Sequence, residues 1–557
     1  MNPTISRREF TKTSLMATLG LMVSCSVKKQ FDIIIRNGMI IDGTGSPSMR
    51  KDIAILGDKI VAIDDLSQAS AEVIIDAQDL VISPGFIDIH THTDTQLLVN
   101  PNAESKILQG VTTEISGNCG SSPFPLNDED FSTLDKFLFE KYNIHVTWRD
   151  ISGFLEALEQ KNISVNYATF TGHGDLRSYV IGKNDVAPNS EQMKDMKKIL
   201  AETMDKGSLG LSTGLEYAPG SYASTEELID LCKVVSQYQG VYATHMRNED
   251  DFVEEAIQES LQICKESEVS LQISHLKACN QSNWHKVDNM LEMIHRSAQE
   301  GFPVKADRYP YIAYGTGLST FLPLWARQGN REEIIARLQD KSQIPKIKEY
   351  ALSRGERIGG WNRVIISSCE SEENRVWEGK SIQECADVTG KEPFEFIRTL
   401  LIEEKNRAGI VGFAMSEDNL KKILSSPLVM IGSDGSAIAP YGKLGEGKPH
   451  PRYYGTFPRV LGKYCREENW LDLAQAIKKM TSMPAEKLNL KLRGKIFNKY
   501  FADLTIFDPN TIIDKATFTN PHQTPEGIAY VIVNGKVTVK NGRHIGTHAG
   551  KILIHTV

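Results

Sequence analysis

Hydrophobic and polar positions follow two textures along this chain. Between residues 31 and 84 the apolar runs are short: Asp32-Ile33-Ile34-Ile35, Met39-Ile40-Ile41, Ile53-Ala54-Ile55 and Ile60-Val61-Ala62-Ile63. Asn37-Gly38 and Gly57-Asp58 separate them. Such runs between turn dipeptides predict strands joined as hairpins. The same texture returns near the C-terminus. Asp503-Leu504-Thr505-Ile506-Phe507 and Tyr530-Val531-Ile532-Val533 read as strands, and Asn534-Gly535 and Asn541-Gly542 as turns. The two β-rich ends, 31–84 and 481–557, predict one small β-sandwich built from both ends of the chain.

From 85 to 480 the pattern changes. Short apolar strands alternate with helical stretches. Strand candidates are Thr112–Ile115, Asn166–Phe170, Gly210–Thr213, Val241–Thr244, Leu271–Ser274 and Leu428–Ile431. Helix candidates include Glu191–Asp205 and Thr225–Tyr238, the latter opened by a Ser224/Thr225 cap followed by acids. Repeated β/α units over this length predict an α/β fold of the (β/α)8 TIM-barrel type. An open doubly wound sheet is the rival, but no Gly-x-Gly-x-x-Gly turn follows an early strand. Residues 325–410 are more charged and helical, and read as an insertion in a late barrel loop.

Composition narrows this picture. With 557 residues, 24% charged and 40% hydrophobic, the chain is long enough for a large core or several domains. A net charge of −8 gives no electrostatic case for nucleic acid. Ser6-Arg7-Arg8-Glu9-Phe10, the apolar Leu15–Val23 and Ser24-Cys25 read as a twin-arginine export signal over residues 1–25. Val23-Ser24-Cys25 resembles a lipobox, which would tether the mature protein to the membrane through a lipidated Cys25. The expected location is the periplasm. The apolar run is too short to span a bilayer. Eight cysteines are scattered without a Cys-x-x-Cys pair, so neither a zinc ribbon nor a dithiol motif is present.

The candidate chemistry lies at strand ends. In Pro84-Gly85-Phe86-Ile87-Asp88-Ile89-His90-Thr91-His92 an apolar strand runs into two histidines one residue apart. Residues i and i+2 of a strand share a face, so both imidazoles converge, as a metal site requires. The next strand leads into Ser116-Gly117-Asn118-Cys119-Gly120, and a thiolate there would be a strong zinc ligand. A lone cysteine is by default a small buried hydrophobe, but the flanking glycines allow close approach. Two further apolar strands end in His245 and His275, and a late one ends in Asp434. A single histidine of this kind is more often structural; two in successive strands beside His-x-His point to a site. Asp434, before Gly435, could serve turn chemistry, yet the end of a barrel strand favours a catalytic carboxylate.

These residues resemble the amidohydrolase superfamily, and within it the N-acyl-D-amino-acid deacylases. The resemblance covers nearly all of 31–557. It is strengthened by Gly214-Leu215-Glu216-Tyr217-Ala218-Pro219, Asp307-Arg308-Tyr309-Pro310-Tyr311, and His450-Pro451-Arg452 leading to Tyr454-Gly455-Thr456-Phe457-Pro458-Arg459. Cys119 stands where related dihydroorotases and hydantoinases use a carboxylated lysine. The stretch 436–448 is Gly-rich and longer than in the best-known D-aminoacylases, so side-chain specificity does not carry over.

The resemblance implies zinc-dependent hydrolysis of N-acyl-D-amino acids, a small-molecule substrate. One Zn2+ would be held tightly by Cys119, His245 and His275, and a second, weaker site formed by His90, His92 and shared Cys119. Asp434 would act as general base and then acid. Arg452 would meet the substrate carboxylate in a bidentate fork, with Lys277 reaching the same group. Tyr217 and Tyr309 could donate to the carboxylate or the developing oxyanion, or simply form aromatic walls. His173, also past a strand, is expected behind the site. Two rival readings stand beside this one: another amidohydrolase, such as a D-residue dipeptidase or cyclic-amide hydrolase, and a non-catalytic zinc- or ligand-binding periplasmic protein.

Overall fold

The computed structural model describes residues 30–556; the export signal and Cys25 lie outside the described residues. Its centre is a set of parallel strands: Phe86–Asp88, Val111–Ser116, Asn166–Thr169 continued by Thr171–Gly172, Gly210–Gly214, Val241–His245, Ser270–Ile273, Val304–Arg308 and Val429–Ile431. Each pairs in parallel with the next, apart from the kink at Phe170, where the third strand passes from one sheet to the other. The last strand returns beside the first. Thr91 bridges Gly435 in parallel, and Asp434 N donates to His90 O at 2.8 Å. Helices such as Ser190–Asp205, Thr225–Gln237, Val253–Ser267 and Val287–Gln299 join the strands. This is an α/β fold of TIM-barrel type.

Helix starts follow the capping rules. Ser224 accepts from Glu227 N, and Asn189 forms a capping box with Gln192. The strands lie near their expected positions, with one omission. Val304–Arg308 was not predicted, because only Val304 and Ala306 are apolar and they alternate with Lys305, Asp307 and Arg308. Inside the ring, Ile87, Ala168, Ala243 and Met430 are buried together with Met483 and Leu488. The start of the C-terminal segment therefore covers the floor of the strand array before the chain joins the β-rich part. An apolar floor must be covered, since each buried aliphatic side chain contributes about 1.5–3 kcal/mol.

The two chain ends build mixed sheets. Residues 59–64, 52–56, 31–36 and 71–76 form a four-stranded sheet. A seven-stranded sheet runs 543–544, 536–540, 528–533, 504–507, 81–84, 39–40, 49–50. Ile35, Ile53 and Ile60 of the first pack with Ile82, Leu504 and Ile532 of the second. Hairpins form at Gly57-Asp58, Asn534-Gly535 and Asn541-Gly542. None forms at Asn37-Gly38, where the chain crosses between the sheets: 31–36 pairs with 52–56 and 71–76, while 39–40 pairs with 49–50 and 81–84. A Cβ on Gly38 would lie 2.5 Å from Ile82 Cδ1, so the glycine serves a close crossing.

Between the seventh and eighth parallel strands the chain makes an excursion. Helices Arg331–Gln339, Ile344–Arg357, Ile382–Thr389 and Pro393–Glu403 lie in the stretch read as an insertion. They accompany an antiparallel sheet of Tyr314–Gly317, Gly409–Gly412 and Val364–Ser368. This unit has its own core around Phe321, Ile347, Ile397 and Ile410. It faces the C-terminal ends of the parallel strands.

Candidate metal centre and active site

His90 lies two residues past the strand Phe86–Asp88 and is fully buried. Its Nδ1 meets Asp307 Oδ1 at 3.1 Å. With Nδ1–H donating to that carboxylate, Nε2 is free as a ligand. Nε2 points at Cys119 Sγ, 3.3 Å away, and lies 3.6 Å from Asp434 Oδ1. Cys119 also meets His275 Nε2 at 3.5 Å. His275 Nδ1 lies 2.9 Å from Glu249, the same arrangement of carboxylate, imidazole and free nitrogen.

Three of these residues hold unusual backbone. Cys119, His275 and Asp434 have φ of 52°, 36° and 51° without being glycine. Such conformations cost of order 1–3 kcal/mol each and persist where the surroundings impose them. The Cys119 loop is pressed into the neighbouring strands: a Cβ on Gly214 would lie 2.1 Å from Cys119 O, and one on Gly120 2.6 Å from Gly214 N. Burial opposes ionisation of the Cys119 thiol, but His90 and His275 outweigh it and hold its pKa well below the ordinary thiol value. It is a thiolate in waiting, unlike the inert buried Cys232, whose thiol burial pushes up.

His90, Cys119, His275 and Asp434 each offer a donor atom within 4.8 Å of the others, and His245, Glu249 and His275 do the same. His245 ends its strand with both ring nitrogens buried and neither hydrogen-bonded. Its nearest carboxylates, Glu216 and Glu249, stand at 3.7 Å. An unsatisfied buried polar group costs about 1–3 kcal/mol. Coordination to a cation satisfies such an imidazole, so the donor set fits a metal of the zinc type. His92 falls outside both groups, and its Nε2 meets Asp434 Oδ1 at 3.0 Å.

Asp434 is 7% exposed and receives charge from both sides. His92 contacts one oxygen, and Arg452 NH1 lies 2.9 Å from the other. Burial works against its ionisation, yet Arg452, His275 and His92 hold the carboxyl well below the usual range. Arg452 opens the helix Arg452–Arg459, its backbone N donating to His450 Nδ1. Its Nε makes no hydrogen bond, while NH1 is held by the ion pair to Asp434, so Nε remains unspent. Its guanidinium lies over the Tyr309 ring at 4.7 Å. The Tyr309 hydroxyl is buried without a partner.

The other expected residues divide. Tyr217 packs on His245 at 4.9 Å between ring centroids, and its hydroxyl meets Thr316 Oγ1 at 3.3 Å. It is an aromatic wall as much as a donor. Lys277 donates to Glu249 at 2.6 Å and to His275 O at 3.3 Å, so its ammonium already serves the metal-side network. His173 is bonded to Glu227 at 2.9 Å, away from the cluster. His92, Cys119, His245, Asp434, Tyr309 and Arg452 open on one cavity of about 620 Å³, which extends to the insertion at Arg327 and Arg354.

Asp307 and Glu249 were not foreseen in any role. Asp307 accepts from His90 Nδ1, His275 N and Gln272 Nε2, tying three strands to one carboxylate. The local signals were an acid at the end of an apolar-polar alternation and its place at the head of Asp307-Arg308-Tyr309-Pro310-Tyr311. For Glu249 the signal was the four-residue spacing from His245.

A parallel α/β ring with imidazoles, a thiolate and a carboxylate gathered at the C-terminal ends of its strands is the architecture of a metal-assisted hydrolase. The sequence profile of the amidohydrolase family matches residues 73–307 and 340–539, and the chain belongs to that family. It is 35% identical over 541 residues to a D-aminoacylase of Alcaligenes xylosoxydans xylosoxydans, covering 96% of this chain and 100% of the relative. Among solved structures, N-acyl-D-glutamate deacylase of Bordetella bronchiseptica, complexed with zinc and a phosphonate mimic of the tetrahedral intermediate, is similar at a TM-score of 0.79 and 30% identity, covering 94% of this chain and 99% of that one. A D-aminoacylase with a binuclear metal centre, described by one-metal activation and second-metal attenuation, matches at 0.79 and 34%, covering 94% and 100%. The protein is a hydrolytic enzyme acting on amide bonds.

Proposed function

We propose that this protein hydrolyses N-acyl-D-amino acids to a carboxylate and a free D-amino acid. The observation that carries the reading is a pair of groups on the same cavity as the metal donors and Asp434: the Tyr309 hydroxyl, buried without a partner, and Arg452, whose Nε is unspent and whose NH1 pairs with Asp434. Arg452 suits the α-carboxylate, which it can grip as a planar fork. Tyr309 suits the oxyanion that develops at the scissile carbonyl. Asp434, between His92 and Arg452, takes a proton from the attacking water and hands it to the departing nitrogen. Amide cleavage needs that second transfer because an amide anion is a poor leaving group.

Cys119, His245 and His275 are the residues we assign to a tightly held Zn2+, and His90, with Cys119 shared and His92 nearby, to a weaker second site. Zinc supplies Lewis acidity there, polarising the carbonyl and lowering the pKa of water toward ~7. We further propose that the β-rich chain ends form a small domain distinct from a closed eight-stranded barrel, and that residues 1–25 direct export to the periplasm with lipidation at Cys25.

The activity is tested by release of free amine from N-acetyl-D- and N-acetyl-L-amino acids, across acidic, apolar and aromatic side chains, with zinc assayed alongside. The D series should be cleaved and the L series spared. Equal rates on both enantiomers, or none on either with zinc bound, would overturn the proposal.

A further inference from the structure

Asp434 sits three residues past the strand Val429–Ile431 in left-handed backbone, φ 51°. Aspartate tolerates left-handed backbone better than most residues, but extended backbone is still the favoured state. Contacts on either side hold it there. Its own amide contributes one bond, to His90 O.

The flanking residues are held by a single ammonium. Lys106, in the short helix Glu104–Ile107, is fully buried. Its Nζ donates to Ser433 Oγ at 2.6 Å, to Gly435 O at 3.1 Å and to Asp88 Oδ2 at 2.9 Å. Three donors thus meet three acceptors. Two of those acceptors are the neighbours of Asp434 in sequence. Asp88 completes the clamp, its other oxygen accepting from Ser433 N at 2.8 Å. Gly435 N donates to Ser433 Oγ at 3.1 Å, closing the turn on itself. Glu114 stands 3.8 Å from the ammonium and accepts from Thr93 Oγ1. None of these contacts involves a zinc donor.

A buried charge costs several kcal/mol unless it is paired and fully hydrogen-bonded, and an apolar side chain of similar volume would glue two strands at lower cost. What an apolar residue cannot do is fix a hydroxyl and a carbonyl one residue apart on each side of a strained position. We infer that Lys106 is a positioning residue for the catalytic base: its ammonium clamps Ser433 and Gly435 so that Asp434 is locked facing the metal donors. It does not touch substrate. The inference rests on the reading of Asp434 as the general base.

The test uses the full-length, zinc-loaded protein and compares Lys106→Met and Ser433→Ala with wild type and Asp434→Asn. A misplacement of about 1 Å at a reacting group costs roughly 100-fold in rate. Lys106→Met should therefore keep its zinc and lose kcat by roughly 10- to 100-fold, with KM within about threefold and the acid limb of the kcat–pH profile displaced. Ser433→Ala, which removes the hydroxyl that accepts from both Lys106 Nζ and Gly435 N and leaves the ammonium, should show the same changes in smaller degree, and it decides the matter if Lys106→Met does not fold. Wild-type kcat per bound zinc in Ser433→Ala overturns the inference. So does a loss of kcat that tracks zinc loss or a lowered melting temperature with the pH profile unmoved. If Asp434→Asn is inactive while Lys106→Met and Ser433→Ala turn over normally, only the role of Lys106 fails. If Asp434→Asn stays active, the reading of the base fails instead.

Discussion

Removing the Asp307 carboxylate should loosen the metal centre from behind. In Asp307→Ala three buried donors lose their acceptor: His90 Nδ1, His275 N and Gln272 Nε2. Gln272 can swing its amide away, but the His275 amide and the His90 ring cannot leave without dismantling the site. At about 1–3 kcal/mol for each unsatisfied buried group, those two cost roughly 2–6 kcal/mol of stability. The imidazole behind which Asp307 stands is His90, of the weaker site, and loss of such a carboxylate typically lowers metal affinity there 10–100-fold, about 1.4–2.7 kcal/mol. Asp307→Asn should be milder. Gln272 Oε1 is buried and without a partner, so a flipped Gln272 can accept from the new amide while its oxygen still serves His90 and His275. Zinc affinity by chelator competition and stability by urea unfolding measure the two effects. An Asp307→Ala protein whose second, weaker zinc binds within twofold of wild type refutes the reasoning, even if its stability falls.

Tyr309→Phe removes a buried hydroxyl that has no partner, so the melting temperature should hold or rise, while kcat/KM falls about 100- to 1,000-fold as an oxyanion donor is lost; a parallel fall in stability would show the hydroxyl to be structural. Cys119→Ser replaces a thiolate by an alcohol and should cost more zinc affinity than the ~100-fold of an outer-shell loss, read by metal analysis after dialysis. Lys479, under the eighth strand, donates to Ser426 O and to Val429 O, and burial, with Lys305 and Lys478 nearby, pushes it down to about 7. Between about 7 and the ordinary lysine value the unfolded chain binds a proton that the folded one does not, so this residue makes stability rise with pH across that window. Lys479→Met should flatten the slope in urea titrations from pH 7 to 10; an unchanged slope would count against it.

The strand-end residues were legible because the signal is local. An apolar run ending in histidine, as at Val241–His245, announces itself within five residues. The partners that make those residues work were not legible in the same way. Asp307 and His90 are 217 positions apart, and Lys106 and Ser433 are 327 apart. Each partner taken alone reads as an ordinary charged residue, whose default place is the surface. Turn chemistry misled once, at Asn37-Gly38, since a dipeptide suited to a hairpin also suits a crossing between sheets.

The sequence by itself determined the repeated β/α units, the β-rich ends, and the identity of the residues at the C-terminal ends of the strands. Periodicity and turn residues act over a few positions and survive being read in one dimension. The tertiary structure alone decided how those residues are used. It engaged His92 with Asp434, drew Lys277 to Glu249, left His245 and Tyr309 with unsatisfied atoms, and enclosed Lys106 beneath the turn of Asp434. These are facts of hydrogen-bond satisfaction in a dry interior, where a buried polar atom left without a partner is costly and rare, and which partner is within reach depends on how the strands assemble.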